Sequence, residues 1–276
     1  SSLVSRFNSK SFKDTILLNN SKFVTMLELS DSIYNMSAGL FDPSVKPLMD
    51  LWDFDGYRGV VPSQKQVDSV LRNVSFQKGK HFDFLDYSET QTSIIKNVSS
   101  FQLDFNAIAQ GYAVDVLMAF VKSKGHNVVY IELGGEIALS GLKFNNEKWR
   151  IGIEVPIENN RTSEREIQKV FSLTDKCIAT SGNYRKYFEF NGEKYAHTIN
   201  PRTGFQNKHN LLSATVFSES CAVSDAYATV FMLLGLEGTI DFIKNNPTLG
   251  LDVFLIYDES NSYMTYYSIG LQSVMN

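Results

Sequence analysis

The sequence predicts a mixed α+β fold, with mostly antiparallel sheets and packed helices. Short runs alternating apolar and polar residues recur along the chain, and amphipathic runs of near-3.6 period interrupt them. Strand and helix patterns do not alternate regularly enough for a doubly wound parallel sheet. The 276 residues suit one large domain or two intimate ones, and a hydrophobic share of 43% supplies a core. Charged residues at 20% exclude a disordered chain. With 26 Lys+Arg against 30 Asp+Glu, the net charge of −4 argues against a broad nucleic-acid groove.

The first helix is expected over residues 21–38, where Phe23, Val24, Leu27 and Tyr34 fall near one face and Gly39 supplies the stop. A short element begins at Phe41-Asp42-Pro43-Ser44 and ends in the Leu51-Trp52-Asp53-Phe54 cluster. Residues 62–74 read as a surface helix opened by Pro62 and Ser63. Residues 82–87, 93–96 and 102–105 read as short strands. The most pronounced helical pattern spans 106–124, with Asn106 as N-cap and Ala107, Ile108, Val114, Leu117, Met118 and Val121 as its apolar face. Gly125 closes it.

Strands are then expected at 127–133, 136–141, 149–154, 169–174, 184–190, 193–199 and 211–218. Helices over 220–234 and 237–245 and strands over 251–257 and 263–269 complete the chain. No strict repeat is present, but each half carries strands and one long helix after a strand, the pattern of a degenerate duplication. No Pro/Gly/Ser-rich linker separates the halves, so a single domain over 1–276 is expected. Cys177 and Cys221 are too few for a disulfide scaffold or a four-ligand zinc site. They read as small buried apolar residues, with one disulfide left open. No run approaches the roughly 20 apolar residues of a membrane span.

Four segments place small and polar residues where a simple core would not want them. In the segment from Asp104 to Asp115, a strand end meets a helix start rich in small residues, which suits either a phosphate at free amides or close helix packing. Gly134-Gly135, between Glu132 and Glu136, allows a positive φ, in a ligand loop or in a tight strand connection. It is not a dinucleotide fingerprint, and no Walker A pattern exists. The third segment joins Thr180-Ser181-Gly182-Asn183-Tyr184-Arg185 to the turn-rich run from His197 to Gly204. There His197 is a structural residue or a base, and Arg202 is a phosphate clamp or an exposed turn residue. Last, Asp225 and Thr229 lie four apart within an apolar helix, so their oxygens share a face. They suit a hard cation such as Mg²⁺, or else cap and back-bond locally.

Taken in order, these segments resemble the ApbE-type FAD:protein FMN transferases. Gly39-Leu40-Phe41-Asp42-Pro43-Ser44-Val45 with Leu51-Trp52, and Ser2 through Asn8, are similar to that family's early stretches. The resemblance covers essentially the whole chain and implies a duplicated (T-fold-like) architecture of the family kind. It implies that FAD and a divalent cation, Mg²⁺, are bound, that FMN passes to a Thr or Ser hydroxyl of an acceptor protein, and that AMP leaves. FAD pyrophosphatase activity and non-catalytic FAD binding are the alternatives. By position, Asp225 and Thr229 correspond to metal ligands, with the Ala107 carbonyl as a third. Leu40, Phe41, Asp42, Asp104, Gln110 and Ile199 correspond to flavin-nucleotide contacts, and His197 to the residue activating the acceptor hydroxyl. Asn200, Gln110 and Ala228 stand where the family usually carries Asp, a charged residue and often a second acid, which lowers the charge around metal or adenosine. The resemblance further implies an exported, periplasmic or lipid-anchored protein. It also implies a leader and one flavin-lining strand ahead of Ser1, where the chain reads as beginning inside a domain.

Overall fold

A computed structural model describes residues 2–9, 15–18, 21–54, 60–77, 79–88, 91–156, 166–183 and 187–275. In chain order the first elements are α1 (Leu3–Asn8), β1 (Thr15–Leu18), α2 (Ser21–Met36), α3 (Lys46–Trp52), α4 (Gln64–Leu71), β2 (Phe82–Ser88) and β3 (Gln91–Lys96). Next come α5 (Ala109–Ser123), β4 (Val129–Leu133), β5 (Glu136–Ser140), β6 (Trp149–Glu154), β7 (Ile167–Leu173) and β8 (Cys177–Gly182). The last are β9 (Tyr187–Phe190), β10 (Glu193–Ala196), β11 (Leu211–Ser218), α6 (Cys221–Asn245), β12 (Asp252–Glu259) and β13 (Ser262–Tyr267). The fold is mixed α+β with antiparallel pairing, as the sequence predicts. The residues gather into two compact units, Ser1–Ala107 with Phe188–Gln206, and Ile108–Tyr187 with Asn207–Asn276.

In the first unit β1, β3 and β2 form a three-stranded sheet in that order. Leu48, Trp52, Val67, Val74, Phe188 and Ile199 form one buried cluster. Trp52 anchors it, with its indole Nε1 donating to the Gly204 carbonyl at 2.9 Å. Helix α4 starts two residues later than expected, because Ser63 and Gln66 close a capping box just ahead of Gln64.

Two expectations at the end of this unit are corrected. Residues 102–105 are not a strand: the Asn8 side chain holds Leu103 by both backbone groups, at 2.9 and 2.8 Å, in place of a neighbouring strand. Nor does Asn106 cap the helix that follows. Its own N–H is taken by Asp104 Oδ1 at 2.7 Å, and α5 begins at Ala109 behind Ile108.

In the second unit the sheet order is β13-β12-β11-β8-β5-β4. Because side chains alternate across a strand, β8 serves two layers. Ile178 joins Leu139, Phe171, Phe217, Phe254 and Ile256 on the face covered by the β6–β7 ribbon. Cys177 joins Val114, Ala138 and Cys221 on the face covered by α5 and α6. The sequence reading anticipated no strand at 177–182, although β8 lies inside this sheet between β11 and β5. It also anticipated strands over 184–190 and 193–199, which begin and end at Tyr187 and Ala196, leaving His197 and Ile199 beyond β10. Residues 184–186 lie outside the described residues.

Helix α6 breaks at Gly235, where φ is +71°, as the two-helix expectation requires. The carbonyls that lose their partners there are taken by side chains. His209 Nε2 donates to Met232 O, Asn207 Nδ2 donates to Leu233 O, both at 2.6 Å, and His209 Nδ1 accepts from Leu211 N. Against expectation, Cys221–Asn245 is long and apolar enough to cross a membrane, with mean hydropathy 1.4. Its apolarity comes from packing on two sides, since Cys221, Ala222, Ala226, Tyr227, Ala228, Val230 and Phe231 are all buried.

Candidate functional site

In the first unit, Gly39 at φ +80° turns the chain out of α2 into Leu40 and Phe41, both buried. Asp42 follows, also buried. Its Oδ1 accepts from Ser44 N and Ser44 Oγ at 2.8 and 2.6 Å, and its Oδ2 accepts from Phe76 N at 3.2 Å. Burial pushes the Asp42 carboxyl up to about 6, with those three hydrogen bonds acting the other way. Asp104 N donates to the Pro43 carbonyl at 2.6 Å, so Asp104 stands beside the Leu40–Asp42 segment. Four of the residues matched to nucleotide contacts therefore gather in one loop pair.

Half-buried His197 and buried Ile199 lead into the Asn-Pro-Arg-Thr-Gly turn. Asn200 organises that turn: its Oδ1 accepts from Arg202 N at 2.9 Å and its carbonyl accepts from Gly204 N at 2.8 Å. Gly204 sits at φ +75°, and a Cβ there would lie 2.3 Å from Val67 Cγ1. Arg202 is exposed, and its guanidinium donates through Nε (3.0 Å) and Nη2 to the Ala38 carbonyl. It ties this turn to the one before Leu40. Ala107, half-buried, ends the first unit.

In the second unit, Gly111 meets α6. A Cβ on Gly111 would lie 2.2 Å from the Cys221 carbonyl oxygen, so close helix packing accounts for this glycine. Its N–H donates to Asp225 Oδ2 at 3.0 Å. Among the described residues no other hydrogen bond reaches the Asp225 carboxylate, which is 7% exposed. Burial pushes its carboxyl up to about 6 against that single bond. One turn on, the Thr229 hydroxyl lies 3.4 Å from Ser181 Oγ on β8. Gly134 and Gly135, at φ +67° and +117°, make the two-residue link between β4 and β5. Gln110 Nε2 donates to Leu133 O at 2.7 Å beside that link, so its amide is engaged with the hairpin.

Asp115 ends the segment rich in small residues, but its carboxylate is fixed on α6. It accepts from Ser220 Oγ, Cys221 N and Ala222 N at 2.7, 2.7 and 2.9 Å. Sequence reasoning placed Ser181 and Asn183 in a candidate segment without pairing Ser181 with Thr229 or singling out Asn183, whose buried Oδ1 has no hydrogen-bond partner among the described residues. The signal for Ser181 was its place in the small and polar run from Thr180 to Asn183, just past the apolar Ile178-Ala179. Both cysteines are buried free thiols, and Cys221 is held protonated by the neighbouring Cys177 thiol and by burial.

No group of three or more His, Cys, Asp or Glu side chains is poised for a metal among the described residues. What α6 offers is a buried carboxylate with one oxygen bonded and one open, and a hydroxyl one turn away. Those hard oxygens fit a Mg²⁺ ion that completes its shell with water and phosphate oxygens.

A sequence model of the ApbE family matches residues 1–254. The FAD:protein FMN transferase of Vibrio cholerae serotype O1 is 29% identical over 267 residues, covering 96% of this chain and 75% of the relative. The enzyme of the same name from Escherichia coli is 30% identical over 239 residues, covering 86% of this chain and 65% of the relative. A solved flavin transferase ApbE from Vibrio cholerae superposes with a TM-score of 0.81 at 27% identity, covering 98% of this chain and 82% of that one. The apo flavinyl transferase ApbE from Pseudomonas stutzeri gives 0.81 at 28% identity, covering 98% and 80%.

Proposed function

The chain belongs to the ApbE family, and we propose that it moves FMN from FAD to a Thr or Ser hydroxyl of an acceptor protein, with Mg²⁺ bound and AMP released. The activity for which the relatives are named supports FAD and a protein as the two substrates. The observation that carries the rest is the open oxygen of buried Asp225 beside Thr229 on one face of α6. A buried carboxylate that is not fully hydrogen-bonded is costly, and a cation offsets that cost.

In this reading Asp225 and Thr229 hold the cation. Mg²⁺, when bound, neutralises charge on the pyrophosphate. Leu40, Phe41, Asp42, Asp104, Gln110 and Ile199 serve the flavin nucleotide, Leu40 and Phe41 by backbone and apolar contact. The acceptor oxygen bonds to the phosphorus on the FMN side, and the bond from that phosphorus to the bridging oxygen breaks. AMP leaves with the bridging oxygen. His197 takes the hydroxyl proton, which an unassisted Thr or Ser gives up poorly.

The test is incubation with FAD, Mg²⁺ and the acceptor protein of a related ApbE transferase, read by covalent flavin fluorescence and AMP release. Labelled acceptor with matching AMP is the expected result. FMN and AMP without labelling would replace the proposal with FAD hydrolysis. FAD binding without turnover at any Mg²⁺ concentration would replace it with a binding role.

A further inference from the structure

Helix α5 grips the start of α6 at two points. At the first, Asp115 accepts three hydrogen bonds of 2.7–2.9 Å, from the Ser220 hydroxyl and the Cys221 and Ala222 amides. At the second, four residues earlier on α5, the Gly111 amide holds Asp225 Oδ2, and the Gly111 Cα lies against the Cys221 carbonyl. Helices leave their first N–H groups without internal partners, and a single hydroxyl or carboxylate from the preceding residue usually serves. Ser220 already caps in that way, accepting from Val223 N. Asp115 adds a carboxylate from another helix, with charge-assisted bonds that the positive helix N-terminus strengthens.

Two grips separated along the axis fix both the rise and the rotation of α6. A slip of one residue would turn the helix by about 100° and carry Asp225 and Thr229 off their shared face. We infer that Asp115 is a positioning residue for the cation site: it orients the Asp225 carboxylate and the Thr229 hydroxyl without touching the cation. This rests on the reading of Asp225 and Thr229 as cation ligands. Loss of Asp115 then weakens cation binding more than it slows turnover at saturating cation, the pattern of residues that support metal ligands.

The test compares D115A, D115N and D225N in the intact chain with FAD bound. Mn²⁺ affinity is measured by titration, hydrogen exchange is read at Cys221 and Ala222, and the Mg²⁺ half-saturation is compared with kcat. Expected are a Mn²⁺ affinity roughly 10–100-fold weaker in D115A, partial recovery in D115N, which keeps one accepting oxygen, and a raised Mg²⁺ half-saturation with a smaller loss of kcat. Faster exchange at Cys221 and Ala222 with wild-type Mn²⁺ affinity would overturn the inference, leaving Asp115 a cap alone. If D115A does not fold, unchanged affinity in folded D115N overturns it equally. D225N separates the two readings. If it binds Mn²⁺ as wild type does, the cation site itself is wrong. If it alone loses Mn²⁺, only the role of Asp115 falls.

Discussion

Asp42 in the first unit and Asp225 in the second are both buried aspartates whose carboxyls burial pushes up to about 6. Their surroundings differ in one respect. Asp42 receives three hydrogen bonds spread over both oxygens, and it shapes the loop that carries Leu40 and Phe41. Asp225 receives one, on Oδ2, and sits on a helix face with Thr229. Desolvation alone therefore does not mark a ligand; the inventory of partners does.

The largest effect that tests this contrast is on turnover. D225N should cut the FAD- and Mg²⁺-dependent AMP release rate by roughly 10²–10³-fold, as loss of a metal ligand worth about 3–4 kcal/mol does. A variant with wild-type turnover would leave Asp225 without a role in the reaction. Next is G111A, whose new Cβ would lie 2.2 Å from the Cys221 carbonyl oxygen and 2.8 Å from Asp225 Cβ. It should lower stability by about 2–3 kcal/mol in denaturant melts, because a backbone oxygen yields less readily than a side chain.

The two acids should then respond to different extents when neutralised without metal. Asp225 titrates at about 6 in the folded chain against an ordinary 3.8, so the folded state binds that proton more tightly. The cost of its charge is present in full above that folded value and gone below the unfolded one. Metal-free D225N should be more stable than wild type by about 1–3 kcal/mol at pH 8, with the gap closing as pH falls from 6 towards 4. D42N should gain less, since relief of the same charge cost is offset by about 1–3 kcal/mol when an NH₂ replaces an oxygen that accepts from Phe76 or Ser44. Both are read by urea titration across pH. The smallest effect is that of Q110A, which removes one bond to Leu133 O and should cost about 0.5–1.5 kcal/mol by the same measurement.

Much of the fold was legible from local pattern. Helix α2 with its Gly39 stop, the β4–β5 link at Gly134-Gly135 and the break of α6 near Gly235 all follow from periodicity and from glycine's access to positive φ. The misses share a physical cause. Leu103 looked like strand and Asn106 like a cap, but the side chains of Asn8 and Asp104 had claimed their backbone groups. Strand β8 carries little strand signal because Thr180, Ser181 and Gly182 are polar or small. It is a strand because β11 and β5 pair with it, and its hydroxyls find Thr215 and Thr229. In the candidate site, Asp225 and Thr229 were readable as a pair, whereas Ser181 was not.

By itself the sequence determined that Asp225 and Thr229 share a face, because helix geometry is local and four residues make about one turn. It also determined the family, through motifs spread in order along the chain. Asp42, Asp115 and Asp225, however, are indistinguishable as letters. Only tertiary structure decided that the first organises a loop, the second caps α6 and the third keeps an oxygen open. The donors that settle the matter for Asp115 and Asp225 lie more than a hundred residues away in the chain, and hydrogen bonds across such separations are made by packing, not by local propensity.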